Sequence, residues 1–355
     1  MERNIVVDGD VVLFNRQYLE SRRKNDEKKV SFIVLSYNND QFIEECLFSV
    51  SKQYFSDYEI IIGDDGSSDG SKDLIYDFIQ KCRVPAVAYL HLSNNGIVSN
   101  YNSCLCLCAG RYIAHIASDD IVDLNRLNVQ YLALCNINAS MCVSGLKVIS
   151  REGKLLRTKQ APKIESLTLE AVLKAGRVTL PSPTMMYSRC LIDDFGLLPS
   201  ELSNEDEALG IRAQVSGGII SIPNLTVSYR THGASVSSKA RLVGFNQFLT
   251  YQLENIPKRI ANVKYFESVI ALYMPDSEFS KQIQRHYASL YSAIYIISIF
   301  KKNTSLSYSA LPKTSIFKIF SIGTAMLLKL YIFGFTRAVL DVILRARNSI
   351  LKRIN

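Results

Sequence analysis

The chain has 355 residues, 48% hydrophobic and 21% charged, a globular balance that excludes a disordered polymer and allows one large domain with an appendage, or two domains. Its net charge of +8 is localised: from Lys301 to Asn355 ten Lys or Arg stand against one acid, Asp341, so this tail carries +9 and the other 300 residues sum to −1. Eight cysteines form no CxxC pair and no Cys/His cluster at zinc spacing, which excludes a structural zinc module.

The N-terminus, MERNIVVDGD, is acidic where a signal peptide would be basic and then apolar, so a cytosolic chain, or one at the cytosolic side of a membrane, is expected. Its thiols suit a reducing compartment, and Cys104, Cys106 and Cys108 alternate with leucines as small core side chains would. Residues 1–29 close on the charged run SRRKNDEKK and read as a solvated N-terminal extension. Val30 to Ser36 is an apolar run stopped by Tyr37-Asn38-Asn39-Asp40, as a buried parallel strand would be. Asp40 is placed to cap a helix carrying Phe42, Ile43, Cys46, Leu47 and Val50 at helical spacing. Tyr58 to Ile62 is the next strand, broken by Asp64-Asp65-Gly66-Ser67, and Leu74, Ile75, Phe78, Ile79 and Cys82 mark a second helix. A third strand at Ala86 to Leu92, a turn at Asn94-Asn95-Gly96 and a helix over 98–109 lead to a fourth strand, Tyr112 to Ala117, ending in Ser118-Asp119-Asp120.

Four strand–helix alternations predict an α/β fold, a mainly parallel sheet with helices on both faces, whose ligand site lies where the strands' C-terminal ends open into loops. The polar clusters fall at those ends. Beyond them, 141–158 reads as a hairpin turning at Arg151-Glu152-Gly153 and 166–175 as a short helix. From about 240 onward the pattern is helical only.

Each acidic cluster has a chemical and a structural interpretation. Asp119-Asp120 suits ribose hydroxyls and a divalent metal, or the N-cap of a helix at 123–136. Asp64 to Gly70 suits a base or ribose, or is an Asx-rich loop. Glu205-Asp206, ahead of Leu209 and Arg212, offers a general base or a favourable charge at a helix start. His232 is a candidate metal or phosphate contact, or structural.

Taken in order, these segments resemble the catalytic domain of glycosyltransferase family 2, which has the GT-A fold. The resemblance rests on VSFIVLSYNND from Val30, YEIIIGDDGSSDGS from Tyr58, Asn94-Asn95-Gly96 with Asn102 and Gly110-Arg111-Tyr112-Ile113, Glu205-Asp206 through Arg212, and Tyr229-Arg230-Thr231-His232. It implies a GT-A catalytic domain over 30–236 and a helical, basic C-terminal region over 237–355. The activity implied is inverting transfer of one sugar from a nucleotide-sugar, a UDP-sugar foremost, to an acceptor hydroxyl.

The implied nucleotide contacts are Ser36, Tyr37, Asn38, Asp64 (accepting the base N–H), Asp65, Asn95, Gly96 and, at the ribose, Asp119. Asp120 would carry Mn²⁺ or Mg²⁺, with Asp119 and His232 as further ligand candidates. Asp206 would be the general base with Glu205 beside it. Many relatives have an acid two positions before Asp119, whereas here Ala117 stands there, which blurs which aspartate holds the metal. Processive members carry a Gln-x-x-Arg-Trp motif that a chain with no Trp lacks, so one or few sugars per encounter are expected. Pro181-Ser182-Pro183-Thr184 lies where relatives shape the acceptor side.

In the tail, 281–300 ends in a charge-free stretch, and Ile316 to Leu344 is apolar but interrupted by Lys318, Lys329, Arg337 and Asp341. Neither reaches the length of a spanning helix. Lys318 and Lys329, eleven apart, share a helical face, which suits lying on an anionic membrane surface; the alternative is a subdomain packed on the core or in a homo-oligomer. A lipid-linked glycan acceptor at the cytoplasmic face of the inner membrane is expected by analogy. The rival readings are an inactive nucleotide- or glycan-binding module, a nucleic-acid binder, for which the body lacks a basic aromatic stripe, and a nucleotidyltransferase, for which it lacks a glycine-rich basic loop.

Overall fold

The computed structural model describes residues 4–24, 28–168, 180–232 and 261–273. The chain divides into two units, one of Met1–Val243 with Ala261–Ser277 and one of Gly244–Ile260 with Glu278–Asn355. The second unit, and with it the tail expected to lie on a membrane, falls outside the described residues, as do residues 169–175 of the helix expected at 166–175. Before that gap the chain makes a 3-10 turn at Ile164–Leu167.

The strands run β1 (Asn4–Val7), β2 (Asp10–Phe14), β3 (Val30–Ser36), β4 (Tyr58–Asp64), β5 (Ala86–Leu90), β6 (Tyr112–Ala117), β7 (Ile121–Val122), β8 (Met141–Ile149), β9 (Leu155–Lys159), β10 (Met186–Ser188) and β11 (Ile219–Arg230). The helices between the early strands are α1 (Arg16–Arg23), α2 (Ile43–Ser51), α3 (Ser71–Lys81), α4 (Ile97–Leu105) and α5 (Arg126–Ile137). One sheet runs β1-β2-β5-β4-β3-β6-β10-β8-β11-β7, with β9 on β8. The parallel arrangement holds through β5, β4, β3 and β6, and β10 then pairs antiparallel to both β6 and β8.

Every residue of β3 and β4 is buried, because helices cover both faces. Phe32, Val34, Ile60 and Ile62 pack with Cys46, Leu47 and Val50 of α2 and with Ile75 and Ile79 of α3. Each such side chain, fully buried, contributes about 1.5–3 kcal/mol. On the opposite face α4 approaches β4 at Gly63, where a Cβ would come 2.3 Å from Asn100 Oδ1 and 2.5 Å from Cys104 Sγ. Cys104 is buried, whereas Cys106 caps the C-terminus of α4 and is exposed, so the three cysteines do not all belong to the core.

The N-terminal segment corrects the expectation of a solvated extension. β1 and β2 form a hairpin across Asp8-Gly9, whose positive φ values of 51° and 90° suit its two-residue turn. β2 then pairs with β5 through Val11↔Leu90 to Phe14↔Val87. Asn15 caps α1, and Arg22 reaches the buried Glu59 carboxylate at 3.1 Å. Two further helix starts differ from expectation. Asp40 does not cap α2, whose N-cap is Phe42, and α5 begins at Arg126 behind Asn125, so Asp119 and Asp120 cap nothing. The hairpin expected at 141–158 is present as β8–β9, with Ile149 opposite Leu155.

Candidate active site

Register gathers the polar residues. β3 pairs with β4 up to Ser36↔Asp64 and with β6 up to Leu35↔Ala117, so the segments after Ser36, Asp64 and Ala117 emerge at one edge.

Ser36 is 2% exposed with no hydrogen-bond partner on Oγ, while Tyr37 is 48% exposed and Asn38 is exposed at φ 51°. Asn38 Oδ1 accepts the Ser68 N–H at 2.9 Å, and its own N–H donates to Ser67 Oγ at 2.9 Å. Asp64, expected to meet a base, is fully buried, and both its oxygens are engaged within its own turn by Ser67 N–H (2.8 Å) and Ser67 Oγ–H (2.6 Å). Asp65 accepts the Asn95 and Gly96 N–H groups at 2.7 and 3.0 Å, which locks the loop before α4 to the loop after β4. Gly66 sits between them at φ +72°, and a Cβ there would meet Ser93 backbone at 2.4 Å. Asp64 and Asp65 thus build the wall, and Tyr37, Asn38, Ser68 and Asn95 present its exposed side chains.

Asp119 and Asp120 occupy the turn between β6 and β7 and differ sharply. Asp120 is 1% exposed; its Oδ1 accepts the Arg230 N–H at 2.8 Å and its Oδ2 has no partner. Burial, and then the Asp119 charge, push its carboxyl well above the usual range. Asp119 is less buried, and its Oδ2 lies 2.9 Å from His232 Nε2. Arg230, 2% exposed, clamps this turn: Nε donates to Asp119 O (2.9 Å), Nη1 to Arg151 O (2.6 Å) and Nη2 to Glu45 Oε2 (2.5 Å). Its guanidinium lies 4.9 Å from the Phe42 ring centroid, as does the His232 ring.

The acid pair stands at a helix start, as expected: Glu205 is the N-cap and Asp206 the first residue of the helix Asp206–Ser216. Burial, followed by the Glu205 and Glu207 charges, pushes Asp206 up to about 8. Burial also raises Glu205, although Ser182 Oγ–H donates to its Oε1 at 2.8 Å. His115 Nε2 lies 3.6 Å from the same oxygen, so the pair sits beside β6, four residues before Asp119. Ser182, expected on the acceptor side, is therefore a direct neighbour of the acid pair.

His115, Arg230 and Glu45 had no role in the sequence reading. A histidine inside the apolar run Tyr112 to Ala117, and an arginine ending a long strand, were the available signals. Among the described residues no group of three or more His, Cys, Asp or Glu side chains gathers as a metal cage, and no helix is long and apolar enough to cross a membrane.

Residues 31–196 match the model described as Glycosyl transferase family 2. The putative teichuronic acid biosynthesis glycosyltransferase TuaG of Bacillus subtilis is 32% identical over 41% of this chain and 57% of its own length. The Escherichia coli UDP-Glc:alpha-D-GlcNAc-diphosphoundecaprenol beta-1,3-glucosyltransferase WfgD is 28% identical over 48% of this chain and 64% of its own. The chain thus spans less than two thirds of either relative. The crystal structure of Staphylococcus aureus TarS 1–349 in complex with UDP-GlcNAc superposes with a TM-score of 0.53 at 17% identity, covering 83% of this chain and 81% of that one. That likeness concerns the fold, which is GT-A.

Proposed function

Because the chain belongs to glycosyltransferase family 2, we propose that it transfers one sugar from a nucleotide-sugar, a UDP-sugar foremost, to an acceptor hydroxyl by a single inverting displacement. The observation that carries this is the meeting of two groups along β6. The Asp119–His232 pair lies at its end, and the Glu205–Asp206 pair packs beside His115 within it. His115 lies within β6 and Asp119 in the turn just past its end, so one strand positions both groups.

Asp206 is the general base. Its raised proton affinity suits taking a proton from a hydroxyl near neutral pH. The acceptor oxygen attacks the anomeric carbon opposite the nucleotide, and the bond to the diphosphate oxygen breaks with its electron pair, through a transition state of oxocarbenium character. Asp119 and His232 fit a divalent cation. A carboxylate oxygen and an imidazole nitrogen 2.9 Å apart are spaced as two side chains that would hold one ion together. When bound, Mn²⁺ or Mg²⁺ supplies neutralisation of the departing diphosphate. Asp120, buried behind them and held by Arg230, supports the turn. Tyr37, Asn38 and Asn95 line the nucleotide side.

The names of WfgD and TuaG support a lipid-linked or polymeric surface glycan as acceptor. Contact with a membrane through residues after 300 belongs to the same proposal, and its test is loss of membrane co-sedimentation when those residues are deleted.

The test of the central reading is the melting temperature with UDP, dTDP, GDP and CMP, each with and without Mn²⁺. A nucleotide at a hundred times its dissociation constant adds about 2.7 kcal/mol. Stabilisation by one nucleotide, enlarged by Mn²⁺, is expected. No shift with any of them in folded protein overturns the reading.

A further inference from the structure

A buried polar chain runs from the sheet interior to the acid pair. Tyr187 OH lies 2.6 Å from Tyr101 OH, Tyr101 OH 3.2 Å from His115 Nδ1, His115 Nε2 3.1 Å from Ser182 Oγ, and Ser182 Oγ 2.8 Å from Glu205 Oε1. Tyr101 and Tyr187 are fully buried, His115 is 2% exposed and Glu205 5%.

The direction of these bonds follows from their end point. Glu205 as a carboxylate only accepts, so the single hydroxyl proton of Ser182 is committed to it. Ser182 Oγ must then accept from His115, which puts the imidazole proton on Nε2 and leaves Nδ1 bare to accept from Tyr101 OH. Tyr101 in turn accepts from Tyr187. Direct contact between His115 and Glu205, at 3.6 Å, is too long for a hydrogen bond, so Ser182 is the necessary link. Burial, and then the Arg126 charge, lower His115 to about 3, which keeps the ring neutral and a single tautomer sufficient.

We propose that His115 is a positioning residue for the acid pair: as the neutral Nε2–H tautomer it orients Ser182, which fixes the Glu205 carboxylate at the head of the helix carrying Asp206. This rests on the reading of Asp206 as base. Glu205 Oε2 is buried without a partner, so among the described residues the bond from Ser182 is the side-chain anchor of that carboxylate. Loss of the anchor lets Glu205 turn and carries Asp206, the next residue, away from its place. Misplacement of a reacting group by about 1 Å lowers turnover about a hundredfold.

The test uses full-length protein with nitrogen-labelled histidine, whose four imidazoles are assignable by single substitution. The His115 signal is expected as the neutral Nε2–H tautomer at pH 6, and Ser182→Ala should shift it. In turnover of the nucleotide-sugar whose nucleotide stabilises the protein, His115→Phe and Ser182→Ala should lower kcat about ten- to hundredfold with donor KM nearly unchanged. His115→Gln, which keeps an N–H at the Nε2 position, should retain most of the rate. An Nδ1–H tautomer, an imidazolium at pH 6, or a His115 signal indifferent to Ser182→Ala overturns the proposal. So does equal loss of rate in the Gln and Phe variants. Should the wild-type chain turn over no nucleotide-sugar, the proposed function fails, and the tautomer with its response to Ser182→Ala still decides this proposal.

Discussion

Arg230 donates its backbone N–H to Asp120 Oδ1 at 2.8 Å, so one hydrogen bond joins the last residue of β11 to the turn after β6. The Arg230 side chain completes the clamp by donating to Asp119 O, Arg151 O and Glu45. Glu45 is 57% exposed on its side chain, so that ion pair adds little. The two carbonyl contacts, made by a guanidinium in a 2% exposed residue, matter more. Arg230→Met should lower unfolding stability by about 2–4 kcal/mol, measured in urea. An unchanged midpoint would mean the turn holds itself.

Asp119 and His232 are separated by 113 residues and meet at 2.9 Å. If they share a cation, His232→Ala should raise the Mn²⁺ concentration needed for half of the extra nucleotide stabilisation by about tenfold, near 1.4 kcal/mol. Stabilisation by nucleotide without metal should be unaffected. Chelation by EDTA should bring the wild-type protein to the same metal-free value. A variant that titrates Mn²⁺ as the wild type does removes His232 from the site.

What was legible follows from how local each signal is. β3, β4 and β6 lie where the sequence puts them, because a strand buried on both faces is an apolar run and its exit into the cleft is a polar stop. The hairpin β1–β2 was legible too, in three apolar residues before Asp8-Gly9 and four after Asp10, but the charged run after it dominated the reading of 1–29. The acid clusters were visible in the sequence by type and position; their side-chain contacts were not. That both Asp64 oxygens accept from Ser67, and that Asp119 is less buried than Asp120, depends on side-chain direction in turns. His115 offered no local partner at all: its contact with Ser182 spans 67 residues, a distance only the finished sheet closes.

The pH dependence of turnover should report Asp206. Burial and its acidic neighbours raise it from 3.8 to about 8, so the base is protonated at pH 6 and free above 8. Turnover should rise about tenfold per pH unit below that value and level off above it. Asp206→Asn should abolish this limb and lower turnover about 10²–10⁴-fold, with nucleotide stabilisation retained. Stability carries the opposite sign. The folded chain holds a proton that the unfolded chain releases near 3.8, so ionisation of Asp206 costs stability as pH climbs from 3.8 toward 8. Urea unfolding at pH 6 and pH 9 should show a smaller decline in Asp206→Asn than in wild type. Equal declines would show that Asp206 titrates as an ordinary carboxylate.

Asn15 tests whether the N-terminal segment is part of the domain. It is 7% exposed, and its amide is fully used: Oδ1 accepts the Tyr18 and Ala86 N–H groups at 2.9 and 3.1 Å, and Nδ2 donates to Cys82 O and Val84 O at 3.2 and 2.6 Å. One side chain therefore caps α1 and bolts it to the segment between α3 and β5. Asn15→Ala should lower stability by about 2–4 kcal/mol, since it strips the Ala86 N–H and two carbonyls of their partner along with the cap. Asn15→Asp separates the two roles. Aspartate caps a helix as well as asparagine does, but here its second oxygen would face the Cys82 and Val84 carbonyls in place of a donor. The Asp variant should therefore lose stability on the same scale as the Ala variant. Wild-type stability in Asn15→Asp would make Asn15 a helix cap alone and α1 a loosely held appendage.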